Sequence, residues 1–194
     1  MITRTTLVLL STITSVIGIC QPVLEQSDLP TNTLSLPMLM VVDAGTSDPT
    51  PNGAAVTWDF SSAQLDVIGT VIIGPADQTP YAVDYPTANW ASTNDFFGLG
   101  QNFTYYRSNA TGFELIANGV PDNVNAYSDP KQLLQFPFSY QNMFSDTYQH
   151  VGEEVQNVTW TYAGYGTVIT EIGTFQNVVK TVSSQAEIIF WRED

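Results

Sequence analysis

The chain reads as an all-β domain, an antiparallel β-sandwich, with an open or closed β-barrel as the alternative. Three observations carry this. Charged residues make up only 12% of the 194 residues and aromatics another 12%, while Thr, Asn, Ser, Gly and Pro are plentiful, the composition of many short strands joined by turns. No window of a dozen residues repeats apolar positions every 3.6 residues. Instead "EVQNVTWTYA" alternates with period two, Gln156, Val158, Trp160 and Tyr162 on one face and Val155, Asn157, Thr159 and Thr161 on the other. Finally, β-rich runs are separated by turn chemistry such as Asp48-Pro49, Asn52-Gly53, Gly74-Pro75 and Asp129-Pro130.

Residues 1–20 have the pattern of a secretory signal peptide. Arg4 is followed by an apolar run from Leu7 to Ile19, interrupted by small residues, with Cys20 at the expected cleavage point. The run is too short for a membrane span, which needs about 20 predominantly apolar residues. A lipoprotein signal would want a small residue where Ile19 stands. Residues 21–194 are then one exported domain. Cys20 is the only cysteine, so this domain has no disulfide and depends on its core.

The expected strands are Ala54 to Phe60, Leu65 to Ile73, Asn102 to Ser108, Gly112 to Ala117, Gln132 to Tyr140, the run through Trp160, and Ala186 to Trp191. Trp58 and Trp160 fall in alternating strands and are expected in the core. Asn109-Ala110-Thr111-Gly112 should close one hairpin, and Glu171-Ile172-Gly173 another, with Gly173 free to take positive φ. Gly164 and Gly166 suit a bulge or the close approach of another backbone. The segment Gln78 to Gly100 mixes prolines, aromatics and acids with little alternation, and is expected to be a long irregular loop suited to binding.

Five cations against nineteen acids give a net charge of −14. Such a chain repels phosphate backbones, which excludes nucleic acid as a partner. Its lone His150 and lone cysteine exclude a His/Cys zinc site, and no Gly-x-Ser-x-Gly elbow presents a serine. Gly69 to Gly74 has phosphate-loop spacing, but Pro75 stands where lysine is needed, and Gly98-Leu99-Gly100 lacks a third dinucleotide glycine. Neighbouring Glu153 and Glu154 would point to opposite faces of a strand. Nineteen acids nevertheless leave a hydrolase with paired carboxylates open. No cofactor is expected. Calcium is the one ion the sequence suggests, through the oxygens of Asp122 to Asp129, although these form a turn cluster without needing an ion. The ligand-binding candidates are Tyr85 and Trp90, whose rings could stack on a sugar, with Asp84 and Asp95 as hydrogen-bonding partners.

Thr57-Trp58-Asp59-Phe60-Ser61, Thr104-Tyr105-Tyr106, Phe136-Pro137-Phe138 with Tyr140, Ser145 and Asp146, Gly164-Tyr165-Gly166-Thr167 and Gly173-Thr174-Phe175-Gln176-Asn177-Val178 occur in this order. The series resembles an uncharacterised group of exported β-rich proteins of Bacteroidetes-type bacteria, often closed by a type IX secretion sorting domain. The resemblance implies a secreted or cell-surface location and brings no catalytic residues. The sorting domain is absent: the chain ends at "FWRED", directly after a strand, so the domain is truncated there or leaves by another route. The expected function is a non-catalytic module binding a glycan or cell-envelope partner. The alternatives are a structural spacer in a larger exported protein and the carboxylate hydrolase.

Overall fold

The computed structural model describes residues 21–98, 100–120 and 123–192. The signal peptide, Cys20, Asp122 and Asp194 lie outside the described residues. Among the described residues there is no α-helix. Thirteen strands occur: β1 (Val23–Leu24), β2 (Leu34–Asp43), β3 (Gly53–Asp59), β4 (Gln64–Pro75), β5 (Trp90–Phe96), β6 (Gln101–Asn109), β7 (Gly112–Val120), β8 (Asn123–Gln135), β9 (Phe138–Ser139), β10 (Met143–His150), β11 (Gln156–Thr170), β12 (Gly173–Ser183) and β13 (Ile188–Arg192). Ten of them form a continuous antiparallel order β13-β12-β11-β10-β8-β7-β6-β5-β4-β2, and β1 pairs with β9. The sheet is open rather than closed into a barrel, in keeping with a β-sandwich.

One strand breaks the meander. β3 pairs in parallel with the second half of β11, Gly166 opposite Val56 and Val168 opposite Trp58, before the chain crosses to β4 near the far edge. The glycines of β11 make this possible. A Cβ on Gly166 would lie 1.8 Å from the Val56 carbonyl oxygen, and one on Gly164 would lie 2.8 Å from that of Gly53. The close approach expected at these positions is therefore that of β3. Bulges sit beside it, and Ala55 and Asn177 take positive φ of 53° and 56°.

Alternation along β11 places Val158, Trp160 and Tyr162 in the core. There they meet Leu134 of β8, Phe144 and Tyr148 of β10, Val179 of β12, and Leu24 and Phe138 of the small β1-β9 ladder. The Tyr162 hydroxyl donates to the Pro22 carbonyl at 2.9 Å, tying the first described residues to this core. On the opposite face of β11, Trp58 packs edge-on against Phe190, ring centres 5.1 Å apart. Both Trp58 and Trp160 are buried, as their alternation predicts.

Both expected hairpins form. Asn109 stands opposite Gly112, and its Oδ1 accepts from the Thr111 and Gly112 amides. Thr170 stands opposite Gly173, but Gly173 keeps an ordinary φ, so its conformational freedom is not what turns the chain. The expected strand Gln132 to Tyr140 is two: β8 stops at Gln135 and the cis Phe136-Pro137 bond separates it from β9. The expected turn cluster ending at Asp129 is instead, from Asn123 on, the start of β8, a stretch whose pairing with β7 and β10 is irregular. Glu153 and Glu154 lie in the exposed turn after β10, not on a strand.

Candidate functional site

The expected irregular segment is half loop and half strand. Trp90–Phe96 is β5, paired on both sides, because Ala91, Thr93 and Asp95 alternate with Ser92 and Asn94 as small or polar residues that fit between β4 and β6. The loop lies upstream, at residues 76–89, where two 3-10 turns, Ala76–Gln78 and Ala82–Asp84, fold it back over the sheet.

A row of small residues receives this loop. Across the sheet Gly74, Ala91, Tyr105, Ala117 and Ala126 stand side by side, four of them without a bulky side chain. Tyr105, fully buried, lies among them, and Tyr85 from the loop covers it with ring centres 4.7 Å apart. Tyr81 stands edge-on over Phe103 at 5.2 Å. Thr79 pins the loop: its Oγ1 donates to the Ala76 carbonyl at 2.6 Å and meets the Tyr105 hydroxyl at 2.9 Å. Burial pushes the Tyr85 phenol above its ordinary value, with the nearby Asp84 charge adding to it.

Where the loop stops short of covering the next row, Ile72, Thr93 and Phe103, a cleft of about 240 Å³ opens. Ile72, Pro75, Pro80 and Phe103 supply its apolar wall; Thr33, Gln78, Thr79, Thr93 and Gln101 supply hydroxyls and amides. No charged side chain is among its lining residues, although the chain carries −14.

The four residues singled out in the sequence do not converge. Tyr85 is spent on Tyr105. Asp84 is exposed and does not line the cleft. Trp90, opposite Tyr106, sits on the other face of the sheet from Tyr105. Asp95 comes nearest, since it stands opposite Gln101, which lines the cleft, but its Oδ1 accepts from the Gly100 amide. Thr33, Gln101 and Phe103 were not singled out, because only strand register brings them to the cleft. Gln78, Thr79, Pro80, Ala91 and Thr93 fell within the segment expected to suit binding.

A smaller cleft of about 160 Å³ lies beside Pro22, Ala55, Tyr165 and Asn177. Asp146 of β10 accepts from the Gln132 amide at 2.8 Å, and burial, followed by the charges of Asp129 and Glu114, raises its carboxyl above the usual range. These three acids line neither cleft. His150 closes β10 and packs against Tyr127 with the rings tilted and their centres 4.0 Å apart. Among the described residues no group of three or more His, Cys, Asp or Glu is arranged to hold a metal ion, and no helix is long and apolar enough to cross a membrane.

What the geometry defines is a β-sandwich carrying a loop-roofed, uncharged cleft on one sheet face. No protein-family model matches the chain, and neither a curated protein nor a solved structure shows significant similarity to it.

Proposed function

We propose that the chain is a non-catalytic module of a secreted or cell-surface protein, and that it holds a neutral glycan, or a similarly hydroxylated envelope polymer, in the cleft beneath residues 78–80. The observation that carries this reading is the lining: amides and hydroxyls beside apolar rings and prolines, without one charge, in a strongly acidic chain. A sugar offers the complement, hydroxyls that both donate and accept on a ring with apolar C–H faces. The cleft is smaller than the roughly 300–1,000 Å³ of drug-sized sites, which suits one sugar unit and a modest affinity.

Calorimetry of the chain against a panel of neutral oligosaccharides tests the reading. Gln101→Ala and Gln78→Ala should each weaken binding by about tenfold, the worth of one hydrogen bond, without changing the melting temperature. Trp90→Ala, on the other face, should leave affinity unchanged. If no neutral glycan binds, the spacer reading replaces this one. A second reading, a hydrolase using paired carboxylates, draws on the raised Asp146 carboxyl near Asp129 and Glu114. Its check is turnover of polysaccharide lost in Asp146→Asn.

A further inference from the structure

β2 is the outermost strand next to β4, and its second edge faces no other strand among the described residues. It is "LSLPMLMVVD", and every side chain except that of Met38 is exposed. Leu34, Leu36 and Met40 are 37 to 44% exposed on one face, Leu39 and Val41 are 38 and 56% exposed on the other, and Val42, at the irregular end of the strand, is 48% exposed. Long apolar edges are usually blunted with lysine, a bulge or proline, because they template pairing with another chain. Here Pro37 and the register shifts at Met38/Leu39 and Val41/Asp43 are such features, no lysine is present, and the run Leu34 to Val41 stays extended along the edge.

We propose that β2 pairs with β2 of a second copy, antiparallel about a two-fold axis at Met38. The charge distribution selects this occupant and this direction. Two chains of −14 repel over most of their surfaces, but from Leu34 to Val42 this edge carries no charge. Its one acid, Asp43, sits at the end. Antiparallel pairing centred on Met38 sets the two Asp43 carboxylates ten residues apart, about 33 Å, well beyond the screening length of about 8 Å. Parallel pairing would place them side by side.

The sequence is also self-complementary in this register. Leu36 meets Met40 and Met38 meets its own counterpart, with Leu34 just beyond, so the four apolar positions Leu34, Leu36, Met38 and Met40 on one face become eight on a continuous face. Pro37 lacks one donor and falls opposite Leu39, a loss that edge strands tolerate.

Sedimentation of the chain over a dilution series from about 100 μM downward should show a monomer–dimer equilibrium that tightens with salt. Met38→Lys places like charges directly opposite each other at the axis and should shift the equilibrium at least about tenfold toward monomer, with an unchanged melting curve at dilutions where both proteins are monomeric. Register is read in a Cys20→Ser background, which has no other thiol. Met38→Cys should oxidise to a covalent dimer, since residues facing across a ladder have Cα atoms about 5 Å apart. Leu36→Cys should not, because its counterpart lies four residues away, about 13 Å. A monomer at every concentration overturns the proposal. So does a dimer indifferent to Met38→Lys, or equal cross-linking of both cysteine variants, which would mark unspecific apolar association.

Discussion

The ammonium of Lys180 is buried against the carbonyl of Pro51, 3.1 Å away, and also donates to the carbonyls of Thr50 and Pro49. Three consecutive carbonyls thus wrap one cation, and the Trp58 indole N–H donates to the same Pro51 oxygen. The segment leading into β3 is held onto the sheet by this knot. Burial lowers the Lys180 pKa, and the Asp48 charge partly offsets it. Lys180→Met keeps the apolar stem but strands the carbonyls, and is expected to cost about 2 to 3 kcal/mol in urea unfolding. An unchanged midpoint would show that this knot does not hold β3.

Gly166→Ala tests the parallel pairing itself. The new methyl would meet the backbone of Val56, which cannot yield as a side chain could. β3 must then leave β11, at an expected cost above about 4 kcal/mol, the range reserved for gross misfits. Thr167→Ala, one residue on, should cost far less. Chemical denaturation of the two variants distinguishes them.

Thr79→Val removes the pin between the loop and Tyr105 while preserving shape. The expected loss is about 1 kcal/mol. Hydrogen exchange should quicken across residues 76–89 and leave β11 and β12 unchanged. Uniform quickening would mean that the loop and the sheet unfold as one unit.

Alkaline pH should weaken the fold through Tyr127. Burial, then the neighbouring Tyr148, Glu187 and Glu153, pushes its phenol up to about 12 from 10.0. A group whose pKa is raised in the folded state contributes stability that is complete below 10 and is lost as pH climbs toward 12. With partial exposure discounted, the loss is about 1 kcal/mol. Tyr127→Phe should flatten this part of the stability profile, and tyrosinate absorbance of the folded protein should rise late.

Much of this fold is legible in local chemistry along the chain. Period-two alternation placed Trp160, Tyr162 and Val158 in the core, since a strand has only two faces. Asn109 and Gly112 marked a turn, and Gly164 and Gly166 marked a place where a backbone comes close. β2 escaped notice because it is apolar on both faces and so shows no alternation, and β10 because Asp146 sits at an inward position between Phe144 and Tyr148.

From its sequence, then, this protein's all-β class, its hairpins and its buried tryptophans follow, because each depends on residues close together along the chain. Only the tertiary structure decided that β3 lies parallel to β11 more than a hundred residues away, that Trp90 and Tyr85 occupy opposite faces, and that Gln78, Thr93 and Gln101 share a cleft. Those relations are set by strand register. Shifting one strand by a single residue turns every side chain on it to the other face, and nothing local to the cleft's residues specifies which register their neighbours impose.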